Sequence, residues 1–129
     1  NLLAREIEAE LVPTLAELGI SESPYSALAS GFLTGKYRAG EQIDSPRAKG
    51  AAAYVGDRGD RVLTALGAVA REHGAPVPAV ALRWLADQPT VVAPIASGRS
   101  VEQLADLLPM RDLVLTEEQR KALDEASAG

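Results

Sequence analysis

The chain has 129 residues, 47% of them hydrophobic and 24% charged, with a formal net charge of −5 at pH 7. That length suits one domain of roughly 100 to 200 residues; the acidic balance argues against a nucleic-acid binder, which shows a basic face, and no apolar run is long enough to span a membrane. With no Cys and a single His, His73, neither a disulfide framework nor a thiolate or histidine metal site is available, as suits a cytoplasmic protein.

The chain opens at Asn1 without an initiator Met or a leader, and an incomplete domain is expected. Ile7, Leu11, Val12, Leu15 and Leu18 recur at three- and four-residue steps and predict an amphipathic helix over residues 5–18, with Glu6, Glu8, Glu10 and Glu17 on its other faces. Gly19 stops it. Residues 20–25 are expected to be a short strand, although Ser21, Glu22 and Ser23 are poor strand formers and Pro24 removes a ladder donor. Residues 25–37 read as a loop in which Gly31 and Gly35 let backbone approach a ligand and Lys36 supplies a point charge for phosphate. The Walker spacing is absent. Residues 39–59, rich in Gly, Ala and charge, are the one compositionally loose part, and no repeat is visible.

Val62, Leu63, Leu66, Val69 and Ala70 predict a helix closed by His73 and Gly74, with the histidine favourably placed at the negative dipole end. A second helix follows over 77–87, with Pro78 tolerated in its first turn and Val80, Ala81, Trp84 and Leu85 as its buried stripe. Val91, Val92, Ala93 and Ile95 resemble a parallel strand covered on both faces. Ser97 and Gly98 turn the chain, Ser100 and Gln103 have capping-box spacing, and Val101, Leu104 and Leu108 supply an apolar stripe. A strand end, a helix start and Arg99 in one turn together suit an anion such as phosphate, since a guanidinium is a planar fork of donors. A purely capping role for Ser100 and Gln103 and a solvated Arg99 are the alternative readings. Thr116 and Gln119 make another capping box, and Ala122 and Leu123 carry the inner face of a last helix to about residue 126. Two parallel strands, residues 20–25 and 91–95, and about five helices give an α/β rhythm in one segment, residues 1–129. Two strands are too few for a stable sheet, and their edges invite self-association.

Four motifs in order, Asn1-Leu-Leu, YSALASGFLTGKY at 25–37, VALRWL at 80–85 and APIASGRSVEQL at 93–104, closely resemble the carboxyl-terminal part of the aldo-keto reductases, cytosolic NADPH-dependent (β/α)₈ barrels. The resemblance implies that residues 20–25 and 91–95 are the seventh and eighth strands of a TIM barrel, and that phosphate groups bind after them. It implies that Tyr25 stacks on the nicotinamide, that Ser26, Leu28, Gly31 and Lys36 line the pyrophosphate, and that Ser97, Arg99 and Gln103 hold the 2′-phosphate, with Ala96 adding backbone. Many members carry Asn where Leu107 stands, so an adenine contact is lost here. The family's catalytic Tyr, Lys, Asp and His match nothing in this chain, and Tyr25, Tyr37 and Tyr54 are not substitutes. The whole protein is therefore expected to reduce a small carbonyl substrate, an aldehyde or ketone, with NADPH. A non-catalytic nicotinamide-binding or regulatory module, and an inert fragment, are the alternatives.

Overall fold

The computed structural model describes residues 1–37 and 47–129; residues 39–46 of the loose stretch at 39–59 lie outside the described residues. Six α-helices are formed among them: α1 (Leu11–Leu18), α2 (Ala48–Ala52), α3 (Asp57–His73), α4 (Val77–Ala86), α5 (Val101–Leu107) and α6 (Glu117–Ser127). Short 3₁₀ turns occupy Glu6–Glu8 and Leu108–Arg111, and Ala29–Thr34 holds 3₁₀ turns broken by left-handed backbone at Ser30 and Gly31.

The core is helical. α3 packs on α6 and α4, and α4 in turn meets α5 and the 108–111 turn. Trp84, Phe32, Leu66, Leu33, Leu2, Leu115 and Leu123 are its largest fully buried side chains. Each aliphatic member contributes about 1.5–3 kcal/mol by leaving water. α3 forms where its caps say it should: Asp57 and Asp60 lie in its first turn, Arg71 and His73 in its last, and each sign complements the nearer dipole end. Gly74 closes it in the left-handed conformation, with the Ala75 amide returning to the Ala70 carbonyl at 2.9 Å. His73 sits at that end as expected, its Nε2 2.9 Å from Gln119 Oε1 of the complete Thr116–Gln119 capping box.

The ends of the chain are tied through α4. The Arg5 guanidinium lies 5.3 Å from the Trp84 ring centre and donates to Asp124 Oδ1 at 3.1 Å and Ser127 Oγ at 2.7 Å, while Trp84 Nε1 donates to the same Asp124 oxygen at 3.1 Å. The Arg5 side chain is held above its ordinary pKa chiefly by its bond to Glu8.

The expected α/β architecture, a barrel segment with two parallel strands at 20–25 and 91–95, is corrected by the structure, in which no strand forms among the described residues. The two segments do run side by side in parallel, but they share one isolated bridge, Glu22 with Val91. Three backbone bonds join them: Glu22 N to Thr90 O at 2.8 Å, Val92 N to Glu22 O at 2.9 Å and Ile95 N to Pro24 O at 2.9 Å. Side chains displace the rest of the ladder. Ser23 Oγ donates to the Ala93 carbonyl at 2.6 Å and Thr90 Oγ1 to Glu22 Oε1 at 2.9 Å, while Pro24 and Pro94 bring no amide hydrogen. Nor is the apolar run covered on both faces, for Val92 is 72% and Ile95 54% exposed.

Two helix readings also change. The first helix is broken into the 6–8 turn and α1, with Ile7, Leu11 and Leu18 exposed rather than buried. In α5 the expected inner face, Val101 and Leu104 with Leu108 just beyond, is exposed, and Leu107 is the one buried residue.

Candidate functional site

Residues 25–37 make the first wall of the site. Their conformation is dominated by left-handed backbone: Ser26, Ala29 and Ser30 have φ of 56°, 49° and 55°, and Gly31 has φ of 90°. A Cβ at Gly31 would make only ordinary contact with the Tyr37 ring, at 3.4 Å, so it is the φ of 90° that favours glycine there. The turn is stitched by Ala29 N to Ser26 O at 2.9 Å, Gly31 N to Leu28 O at 2.9 Å and Thr34 Oγ1 to Gly31 O at 2.7 Å. Phe32 and Leu33, wholly buried, pin it to the core. Lys36 is exposed, its ammonium 5.2 Å from the Tyr37 ring centre. The Tyr37 hydroxyl is buried and has no hydrogen-bond partner among the described residues.

The second wall is the turn from Ile95 into α5. Ser100 Oγ accepts from Gln103 N at 3.2 Å, one half of the expected box; the Gln103 side chain, however, accepts from Arg99 N at 2.9 Å instead of reaching the Ser100 amide. The turn is pressed against the helix so closely that a side chain at Gly98 would meet the Leu104 amide nitrogen at 2.9 Å. Ala96, Ser97, Arg99 and Gln103 are all exposed. The own amide of Glu102, then the Ser100 hydroxyl, hold the Glu102 carboxyl below its ordinary pKa.

Between the walls lie two adjoining clefts. One, of about 210 Å³, is lined by Leu28, Gly31, Lys36, Ser97, Arg99 and Gln103, with Arg47 and Asp106 beside them. The other, of about 360 Å³, is lined by Tyr25, Ser26, Leu28, Gly31, Ala96 and Ser97, again with Arg47. All nine residues singled out in the sequence thus converge on one region, although they are up to 78 positions apart (103 − 25). Sequence reasoning missed Arg47, which donates to Ser97 Oγ at 3.2 Å and joins the walls, and Asp106, the one acidic residue among the described lining of either cleft. Arg47 lies within the compositionally loose stretch, where no motif marks it; Asp106 lies one helical turn beyond Gln103, a signal that was available. Among the described lining residues, Lys36, Arg47 and Arg99 stand against Asp106, a cationic balance in an acidic chain that suits a phosphorylated ligand.

A larger hollow of about 840 Å³ lies along α5 and the 108–111 turn. It is walled mainly by apolar side chains such as Leu82, Leu104, Leu108, Met110 and Leu113, and Arg111 and Asp112 at its rim pair with each other at 2.9 Å. It lacks the convergent polar groups of a specific ligand site. Among the described residues no three His, Cys, Asp or Glu side chains gather to hold a metal ion, and no helix is long and apolar enough to cross a membrane.

The family model described as "Aldo/keto reductase family" matches residues 1–128. The chain belongs to the aldo/keto reductase family. It is 33% identical to the aldo-keto reductase ausK of Aspergillus calidoustus over 96% of its own length and 32% of that protein. To the uncharacterized oxidoreductase YrpG of Bacillus subtilis it is 29% identical over all of its length and 39% of that protein's. Among solved structures, the glycerol dehydrogenase of Gluconobacter oxydans superposes on 98% of the chain with a TM-score of 0.78 and 26% identity, using 39% of its own length. The chain therefore spans about a third of the length of the relatives it matches.

Proposed function

We propose that the chain is the dinucleotide-binding part of an oxidoreductase that reduces aldehydes or ketones to alcohols with NADPH. The observation that carries the reading is the convergence of Lys36, Arg47 and Arg99 with the glycine-lined turn on adjoining clefts, in a chain that matches the aldo/keto reductase family almost end to end. The donor set fits the ligand: three cations and several hydroxyls for phosphate oxygens, apolar Leu28 and Ile95, and an exposed aromatic face at Tyr25.

In this reading Tyr25 stacks on the nicotinamide, and Ser26, Leu28, Gly31 and Lys36 hold the pyrophosphate. Ser97, Arg99 and Gln103, with the backbone of Ala96, take the 2′-phosphate end. When bound, the reduced nicotinamide supplies the hydride for a carbonyl carbon. The residues here bind and orient; none is assigned to proton transfer. Tyr37 is buried and Tyr54 is half-buried against Phe32, their ring centres 6.1 Å apart.

NADPH differs from NADH by one phosphate, so discrimination rests on Arg99, the fork of donors on the second wall. Replacing Arg99 with Ala is expected to weaken NADPH binding by about 1.5–3 kcal/mol, the range for a hydrogen bond to a charged group, and to leave NADH nearly unchanged. Titration of both dinucleotides by nicotinamide fluorescence checks this. Equal weakening of the two, or of neither, shows Arg99 to be a solvated turn residue and the phosphate end to lie elsewhere.

A further inference from the structure

The strained first wall is held from outside the clefts by Asn1. Ser26 adopts a left-handed conformation at φ 56°, in which a side chain crowds the following carbonyl, and Ala29 and Ser30 repeat it within the same turn. The Ser26 carbonyl accepts two hydrogen bonds, from Ala29 N at 2.9 Å inside the turn and from Asn1 Nδ2 at 3.0 Å across it. The orientation of the Asn1 amide is fixed by its other end, since Oδ1 accepts from Leu3 N at 2.9 Å and so leaves the NH₂ facing Ser26. Leu2 and Leu3, 1% and 5% exposed, anchor that arrangement in the core. Asn1 itself lines neither cleft.

We propose that Asn1 is a positioning residue, which fixes the Ser26 carbonyl and thereby keeps the 26–31 turn in the conformation that faces the dinucleotide. This rests on the dinucleotide reading. It differs from a general structural role in being directional: the first wall depends on Asn1, and the Ser97–Arg99–Gln103 wall does not.

Binding of NADPH and of 2′,5′-ADP to the full chain separates the walls, because the smaller ligand lacks the nicotinamide half. Asn1→Ala is expected to weaken NADPH about three- to tenfold, the loss of one ordinary hydrogen bond, and to leave 2′,5′-ADP unchanged. Asn1→Asp keeps the acceptor for Leu3 but sets an oxygen against the Ser26 carbonyl, and is expected to lose at least as much. Hydrogen exchange gives a readout independent of ligand: the Ala29 amide, which shares the Ser26 carbonyl, is expected to exchange faster in Asn1→Ala while the amides of α6 do not. Equal losses for both ligands, or unchanged NADPH binding and Ala29 exchange in both variants, overturn the inference. If the parent chain binds neither ligand, the dinucleotide reading falls and this inference with it; a parent that binds, with variants that match it, overturns the inference alone.

Discussion

Two glycines in α3 offer a test in which one substitution has opposite signs. A Cβ added at Gly59 would clash with the Tyr54 carbonyl oxygen and lie 2.8 Å from Phe32 Cζ, whereas one added at Gly67 meets only the end of the Arg71 side chain, at 3.7 Å. Both changes gain the helix preference of Ala over Gly, about 0.8–1 kcal/mol at most. At Gly67 nothing opposes that gain, and Gly67→Ala is expected to stabilise by about 0.4–1 kcal/mol. At Gly59 the obstacle is backbone held in a turn by the Tyr54 N to Ala51 O bond of 3.0 Å, together with a buried ring, so neither can swing aside. Overpacking costs about 1–3 kcal/mol, and with backbone in the way the cost lies in the upper half of that range, so Gly59→Ala is expected to be destabilising by about 1–2 kcal/mol after the helix gain is subtracted. Urea denaturation at unchanged slope measures both. If Gly59→Ala stabilised as much as Gly67→Ala, the first turn of α3 would not lie against Tyr54 and Phe32, and the anchoring of the first cleft wall to the core would be wrong.

Tyr37→Phe removes a buried hydroxyl that has no partner among the described residues, so stability is expected to hold or rise by up to about 1 kcal/mol; a fall larger than that in thermal melts would mean the hydroxyl is bonded. Glu118 is held below its ordinary pKa by its own amide and then by the Thr116 hydroxyl. A carboxyl depressed in the folded state adds stability at neutral pH that is lost as pH falls through the carboxylate range, so acid should loosen the start of α6, and Glu118→Gln should lose part of that dependence in circular dichroism. An acid profile identical in the variant would rule out this contribution.

The helices that were legible in the sequence are those whose signals are local. α3, α4 and α6 carry their own periodicity and stops, and Val62, Leu66, Val80, Trp84 and Leu123 are buried as the spacing predicts. What failed was whatever depends on a distant partner. The run at 91–95 is apolar enough for a strand, yet a ladder requires a neighbour whose amides are free, and the neighbour at 20–25 offers Pro24 and a serine that bonds the carbonyl itself. Periodicity likewise reports that a face is apolar, not that it is covered: Leu11, Leu18, Val101 and Leu104 are spaced as a core stripe and stand exposed. The meeting of the candidate residues in one region was legible for a different reason: Gly31, Lys36, Arg99 and Gln103 belong to motifs that resemble the family's, and they line the same cleft without the strands being regular.

The two walls differ in how firmly the fold holds them, and the difference bears on binding. Ala27, Ala29, Phe32 and Leu33 bury the first wall and Asn1 braces it, so its strained backbone is set before any ligand arrives. The second wall, from Ile95 to Asp106, has no buried residue; it is held by local bonds of Ser100 and Gln103, the Ile95 amide, and the Arg47 link to Ser97. Segments with few buried contacts open at low free energy. On the dinucleotide reading, a ligand that spans both clefts orders the second wall as it binds, and its attraction to Arg99 must offset that ordering before any of it appears as affinity. On that same reading, selectivity for the extra phosphate rests on Arg99 of the looser wall, while the tighter wall, with Lys36, fixes where the reactive end lies.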